Sequence, residues 1–549
     1  MKKSTSPFFL TLSMMLLLAQ GVFAQGSGSQ GSDLLLYGLL AAVVLIFFYL
    51  LMQVSDHMLA IEAQRMGLNP DQRKKVGIIP SMTAGLFSKS APAYVGNAPY
   101  IPLKKGFNIL LEGAAEKKVA TGDQVRAFGL EPGQFLGMSP IPKVLVEEGA
   151  NVKAGDLLFY DKKRPEIQYA APVSGEVIEI RRGEKRSITA IVILADKEIQ
   201  YRTFEAFDLE KGSREDLVTY LLDAGVWPHI RQRPYNIVPN PQDIPRDIFI
   251  STFDTAPLAP DLDLVVEGRG DVFQKGLDVL GKLTPGKVVL GLNANGKTAP
   301  SAVFTGAQGV EKFWFSGKHP AGNPGVQIHN IRPIGAKDQV WVLGVQDVLT
   351  IGALFASQKY DAARVVAVAG AELNHPQYVR TYLGASIADL VKDNLKHEHV
   401  RAISGDILSG SKLGMSDFLG FYDDQLTIVK EGDDFELFGW LIPQEGRPSV
   451  SGTYPNVLFP SRQYQASTNT RGERRAFVMT GQYEDLLPMS IYPQHVLKAV
   501  ITGDYEGMEG LGLKELVEED VALCEFACTS KQPLQKILRE GLDLMHAEE

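Results

Sequence analysis

The sequence predicts a multidomain α/β protein held behind one N-terminal transmembrane helix. Three observations lead there. The 549 residues leave room for about three or four domains at the usual ~100–200 residues each. From residue 204 to about 480, strand-like and helix-like apolar periods alternate, the pattern of layered α/β domains. Leu34 to Met52 is a run with neither charge nor proline. At 1.5 Å per residue it nearly spans the ~30 Å hydrocarbon core of a bilayer.

Composition narrows the function classes. With 45% hydrophobic residues the chain can build real cores, so global disorder is excluded. A net charge of −9 gives no electrostatic footprint for nucleic acid. Two cysteines exclude a disulfide framework and any four-cysteine metal or iron–sulfur site.

The N-terminus reads in order as signal, spacer, span and linker. Lys2 and Lys3 precede the apolar run Phe8–Ala19, and Val22-Phe23-Ala24 suits signal peptidase, so residues 1–24 are expected to be a signal peptide. Residues 25–33 are a Gly/Ser/Gln spacer, and 34–53 the transmembrane helix. Residues 54–99 are a linker that opens with a short helix, Ser55 to Gly67. The spacer holds no Lys or Arg, whereas Arg65, Arg73, Lys74 and Lys75 follow the span. The positive-inside rule therefore puts the body in the cytoplasm. A cut signal plus one span, or an uncut signal plus two, gives the same orientation.

Residues 100–203 are strand-rich with frequent turns. Val146 to Leu157 and Ala171 to Ile178 resemble the two signatures of the biotinyl/lipoyl-type barrel-sandwich fold. Glycines supply the turns and alternating valines the core. A carrier domain of that type needs lysine eight residues before the proline of the second signature. That position is Arg164, which cannot form the amide, so a structural barrel is expected.

Residues 204–345 carry a Rossmann-like layer. Ser213 with Asp216 starts a helix through Ala224; Asp247–Thr252 and Lys287–Leu292 are strands, with the amphipathic helix Asp271–Leu283 between them. No Gly-x-Gly-x-x-Gly follows a strand. The turn after Gly225 holds Trp227 and Pro228, which would block a pyrophosphate. Arg231 and Arg233 could hold an anion, although a solvated or partner-facing pair is the simpler reading. Ser316 to Gly325 is a dense Gly/Pro loop that either meets a partner or lines a site. His319 within it could donate to a carbonyl such as a quinone's, or could be a satisfied turn histidine.

Residues 346–480 open with the helix Gln346–Ser357. The strands Val365–Ala369 and Val400–Ser404, with Val379–Ser386 as a strand and turn leading into a short helix Ile387–Lys392, resemble a β-grasp of the soluble ligand-binding (SLBB) type. Gly405–Gly414 lacks the Gly-Lys-Ser/Thr ending of a phosphate loop. His397 and His399 sit among charged residues and read as solvated, so no metal site is expected. Residues 481–549 form a helical C-terminal domain. Cys524 and Cys528 share a helix face if the helix is continuous; a buried thiol pair is the default, a redox or metal role the alternative.

The ordered stretches Ile101–Phe107, Phe159–Lys163, Ala171–Gly175, Gly317–Gly322, Leu383–Ser386, Leu437–Trp440 and Ala522–Cys524 resemble one family. It is the NqrA family of the Na⁺-translocating NADH:quinone reductase, and the likeness covers nearly all of 100–549. The resemblance implies membership of a six-subunit, Na⁺-exporting complex of the bacterial inner membrane, without a catalytic site in this chain. It implies quinone contact, with His319, Arg231 and Arg233 as candidate quinone-contact or partner-contact residues. NADH, flavins and iron–sulfur centres are expected on partner subunits. The alternative is a relative of the cluster-bearing C component of the Rnf-type electron-transport complex that has lost its iron–sulfur sites. A membrane-fusion adaptor is disfavoured, because only a short hairpin separates the two barrel signatures.

Overall fold

The computed structural model describes residues 30–65, 91–138, 141–434, 447–452 and 458–548, with residues 438 and 456. The expected signal peptide, most of the spacer, the linker from 66 to 90 and most of Leu437–Trp440 lie outside the described residues. The chain divides into two compact units, Met1–Ser88 with Ser451–Pro460, and Lys89–Val450 with Ser461–Glu549.

In the first unit, Gln30–Arg65 is one continuous helix of 36 residues. The expected span and the expected short helix after it are therefore a single element. No proline or glycine interrupts Val54 to Arg65, so nothing in the sequence stops the helix. Its segment Gly38–Asp56 is long and apolar enough to cross a membrane, and none of it is buried against protein.

Among the described residues, the second unit is built from four sheets and a helical tail. Two small antiparallel sheets make the barrel-sandwich. One has the strand order Ala127–Leu130, Ile188–Ala195, Gly175–Arg182, Asn151–Val152. The other runs Lys143–Val144, Leu157–Asp161, Arg164–Ala170. Their facing residues Leu158, Phe159, Ile167, Val173 and Val177 are fully buried. The hairpin tip where a carrier lysine would stand is tied down. Arg164 donates from Nη1 to the Val238 carbonyl at 2.7 Å and pairs with buried Asp161 at 3.3 Å.

The Rossmann-like sheet has the order Tyr100–Pro102, Glu311–Ser316, Val288–Asn293, Asp247–Ser251, Val340–Val342, Arg231–Arg233. All pairs are parallel except the last. Parallel strands must be covered on both faces, and their buried runs are nearly uniformly apolar. The capping box at Ser213 forms as read: Ser213 accepts from the Asp216 N–H and Asp216 accepts from the Ser213 N–H. Helices Gly270–Leu283 and Val345–Ser357 pack backbone to backbone. A Cβ on Gly276 would lie 2.3 Å from the Val348 carbonyl oxygen, and one on Gly352 would lie 2.0 Å from that of Val272.

The third layer is the β-grasp sheet. Its order is Ser411–Leu413, Val400–Ser404, Gln425–Lys430, Ala363–Ala369, Gln377–Tyr382, Glu116–Thr121. Two early strands thus depart from expectation. Tyr100–Pro102 lies in the Rossmann-like sheet, parallel to Glu311–Ser316, and Glu116–Thr121 pairs in parallel with Gln377–Tyr382. Neither belongs to the barrel sheets in whose sequence region they fall. Short strands with no clean alternation reveal little of their register locally, and long-range pairing decides it.

A buried ionic cluster lies where these layers meet. Asp347 accepts from His229 Nδ1 at 2.8 Å and from the Arg364 guanidinium, with all three side chains at most 8% exposed. Burial works against the Asp347 charge, but Arg364 and His229 hold its carboxyl down at about 2. Burial keeps His229 below its ordinary value despite Asp347. It also pushes neighbouring Asp424 up to about 7, against the pull of Arg364. Trp227 and Trp341 stack edge to face, 5.4 Å apart, in the core of the second unit.

The helical tail runs Gln482–Leu486, Pro493–Thr502, Tyr505–Gly510, Glu518–Ala527, Leu534–Glu548. It has its own apolar core, joined by Ile109 and Leu111 from the start of the body.

Candidate functional site

Polar loops at the carboxyl ends of two parallel strands frame the candidate site, the position at which open α/β sheets hold ligands. The loop after Asp247–Ser251 contributes Asp254 and Ala256. The Gly/Pro loop after Glu311–Ser316 contributes His319 and Asn323. The turn after the β-grasp strand Val400–Ser404 brings Asp406, Leu408 and Ser409, and the helix Glu518–Ala527 brings Glu519 and Ala522. Together they line a crevice of about 40 Å³. That holds a small cation or one or two waters. It is far below the ~300 Å³ at which sites for drug-sized ligands begin.

Each wall is fixed by its own backbone chemistry. The His319 N–H donates to Asn108 Oδ1 at 2.8 Å, and its carbonyl accepts from the Phe107 N–H at 2.9 Å. Gly106 makes that approach possible: its φ is +110°, and a Cβ there would sit 2.3 Å from the His319 oxygen. His319 Nδ1 lies 3.2 Å from Thr255 Oγ1, which also accepts from the Gly322 N–H. Asp406 accepts from the Leu408 and Ser409 N–H groups. Asn323 donates to the Glu519 carbonyl at 3.0 Å.

One polar atom in this frame has no partner. His319 is 4% exposed, and its Nε2 makes no hydrogen bond. Burial lowers the proton affinity of the ring, opposed by Asp406 and Glu519. Asp254 keeps an exposed surface, yet enough protein surrounds its carboxyl to desolvate it. That desolvation, with Asp406 and Glu519 nearby, raises it to about 6. The crevice is therefore negative, with a neutral imidazole in one wall.

The two arginines named with His319 have other work. Arg233 is 1% exposed and pairs with Glu519 at 2.6 Å and with Asp520 at 3.3 Å. It braces the strand Arg231–Arg233 against the helix Glu518–Ala527. Arg231 lies over the Tyr422 ring, 4.9 Å from its centroid. The structure thus makes His319 and Glu519 neighbours. It does not bring Arg231 and Arg233 together as an anion clamp. Sequence reading missed Asp254, Asp406 and Glu519, although Asp254 follows a buried strand that ends in a polar loop.

The other candidates resolve simply. Helix Glu518–Ala527 stops one residue before Cys528, which is its C-cap, so the two thiols do not share a continuous helix. Both are buried. Tyr483 donates to Cys528 Sγ at 2.8 Å, and burial holds the Cys524 thiol well above its ordinary value. His399 is exposed and pairs with Asp433 at 2.9 Å. Among the described residues, no three His, Cys, Asp or Glu side chains converge closely enough to hold a metal ion.

Three family domains match in order: the NqrA N-terminal barrel-sandwich hybrid domain over 101–196, the NqrA second alpha/beta domain over 212–360, and the NQRA C-terminal domain over 365–414. The chain is also similar to the NqrA proteins of Na(+)-translocating NADH-quinone reductases. It is 38% identical to that of Alcanivorax borkumensis over 452 residues and to that of Saccharophagus degradans over 451. With the protein of Vibrio atlanticus it shares 36% over 451. Each match covers 82% of this chain and 100% of the relative. The helix Gln30–Arg65 lies outside all three matched family domains.

Proposed function

The chain belongs to the NqrA family of the Na(+)-translocating NADH-quinone reductase, and we propose that it serves this complex as a membrane-tethered docking component near the quinone end. The observation that carries the reading is the full-length match to relatives of that name, with the three family domains in order. The relatives' names favour it over an Rnf-type protein stripped of its clusters.

The body lies in the cytoplasm, and Gln30–Arg65 crosses the inner membrane once. The body divides into a barrel-sandwich domain at 100–203, a Rossmann-like domain at 204–345, a β-grasp domain with its leading helix at 346–480 and a helical domain at 481–549. Five further subunits complete the complex and carry NADH oxidation, flavins and iron–sulfur relays. Quinone reduction there drives Na⁺ from cytoplasm to periplasm. This chain supplies assembly contacts and borders the quinone without performing the chemistry. The narrow crevice at His319 does not admit a quinone ring in this conformation, so His319 is a partner-contact residue and quinone contact lies elsewhere on the body.

The test is affinity capture of the tagged full-length chain from detergent-solubilised membranes. Recovery of five other subunits with bound flavin and Na⁺-stimulated NADH:quinone activity supports the proposal. A chain recovered alone that binds NADH or flavin refutes it. Protease added to inverted vesicles should digest the body; a protected body refutes the orientation.

A further inference from the structure

We infer that the His319 crevice is a socket for a primary ammonium group, filled in the assembled complex by a lysine side chain of a partner protein. This rests on the reading of the chain as one member of a multisubunit reductase. Four features of the crevice specify that ligand, and they come from separate parts of the fold.

The first is charge. Asp254, Asp406 and Glu519 line one small space, and the one cation paired there, Arg233, is shared between Glu519 and Asp520. The second is the orphaned acceptor. In the tautomer whose Nδ1–H donates to Thr255 Oγ1, Nε2 of His319, a residue that lines the crevice, is a buried acceptor with nothing to bond it. Buried polar atoms are rarely left unpaired, so a missing donor is indicated. The third is size. About 40 Å³ suits an ammonium head, which is close to a water in volume, and excludes a flavin, a nicotinamide or a quinone ring. The fourth is spacing. No three ligating side chains stand close enough for a metal ion among the described residues. An ammonium donates three hydrogen bonds outward and tolerates the looser arrangement.

The partner gains a keyed contact rather than a broad patch. Burial raises Asp254, and Asp406 and Glu519 beside it add to the rise, so the free crevice carries carboxylates that lack a cation of their own. Insertion of a lysine supplies that cation with charge-assisted hydrogen bonds. Removing one member of such a contact acts mostly through faster dissociation.

Zero-length coupling with a water-soluble carbodiimide on the purified complex tests this directly. The reagent activates a carboxylate, the lysine amine displaces it as a urea, and an amide bond remains. Mass spectrometry should find an amide between Asp254, Asp406 or Glu519 and a lysine of another protein of the complex. In Asp254→Lys the socket carries its own ammonium, and the cross-link should fall by about tenfold or more. Asp254→Asn should give an intermediate loss, and both variants should fold, because Asp254 is exposed. An intact complex in which none of the three carboxylates couples to a partner lysine overturns the inference. So does saturable Mn²⁺ binding to the isolated full-length chain that Asp254→Asn abolishes, which would mark a metal site instead. A chain that leaves the membrane without partners overturns the reading of it as one member of a multisubunit complex, and the socket with it.

Discussion

Replacing Asp347 by asparagine leaves the Arg364 guanidinium, 2% exposed beside His229, with only Asp424, 4.0 Å from its Nε, as a counter-charge. Two further Arg364 nitrogens, Nε and Nη1, already lack hydrogen bonds, and Asp424, which burial pushes up to about 7, carries only part of a charge at neutral pH and replaces Asp347 poorly. Breaking a buried pair by removing one member costs about 3–5 kcal/mol. The titration of Asp347 gives an independent lower figure. Its carboxyl is held at about 2 against an ordinary value of 3.8, which corresponds to about 2 kcal/mol of folding stability at neutral pH. A depressed carboxylate contributes that stability above its unfolded value and loses it as pH falls from near 4 toward 2. The removal cost exceeds the linkage figure because the arginine stays charged after the substitution. The assay is urea unfolding of the full-length chain in detergent, followed by tryptophan fluorescence, since Trp227 and Trp341 lie in the same core. Asp347→Asn and Arg364→Met should each lower the unfolding free energy by about 3–5 kcal/mol. The double variant should cost less than their sum by at least about 2 kcal/mol, the signature of residues in contact. Single costs under about 1 kcal/mol with an additive double variant would refute the reasoning.

Three further outcomes are expected. Gly276→Ala and Gly352→Ala should each destabilise the body by about 1–3 kcal/mol in the same assay, because each added methyl meets a backbone carbonyl of the facing helix. Cys524 and Cys528 should react slowly with an aromatic disulfide reagent in the native chain and rapidly in guanidinium, since both are buried and burial keeps Cys524 from forming a thiolate; fast native labelling would contradict their placement. Asp254→Asn should raise the melting temperature of the isolated chain at pH 7. The folded carboxyl titrates near 6 and the unfolded one near 3.8, so wild type loses stability as pH climbs through that window while the variant does not. Equal melting curves at about pH 4 and a gap at pH 7 are the expected pattern.

Much of the body was legible because local chemistry and final structure agree. Ser213 and Asp216 announce a capped helix, and the strand–helix–strand run from Asp247 to Leu292 announces a parallel layer. The two glycine-turn signatures announce a barrel. Those signals are short-range, and tertiary packing reinforces them. Strand edges donated across long distances were not legible. Glu116–Thr121 has the exposed, Lys-rich pattern of a loop, and only the partner strand Gln377–Tyr382 makes it a strand. The crevice was half legible. The Gly/Pro density around His319 marked one wall. Asp254, Asp406 and Glu519 each have a local explanation as a loop, turn or helix-start acid, and nothing in the linear order says that the three meet.

The two donated strands also set a schedule for synthesis. Tyr100 reaches Ser316, 216 residues further along, and Val119 waits for Tyr378, about 260 residues downstream. At bacterial elongation rates of ~5–20 residues per second, each early segment spends about 10–50 s outside the ribosome before its mate exists. During that interval the nascent body carries unmet backbone donors and acceptors close to the membrane end of the chain. Fragments cut at the apparent domain borders would inherit the same exposed edges permanently. They should precipitate where the complete chain does not, so the barrel, the Rossmann-like layer and the β-grasp are modules in outline and a single unit in manufacture.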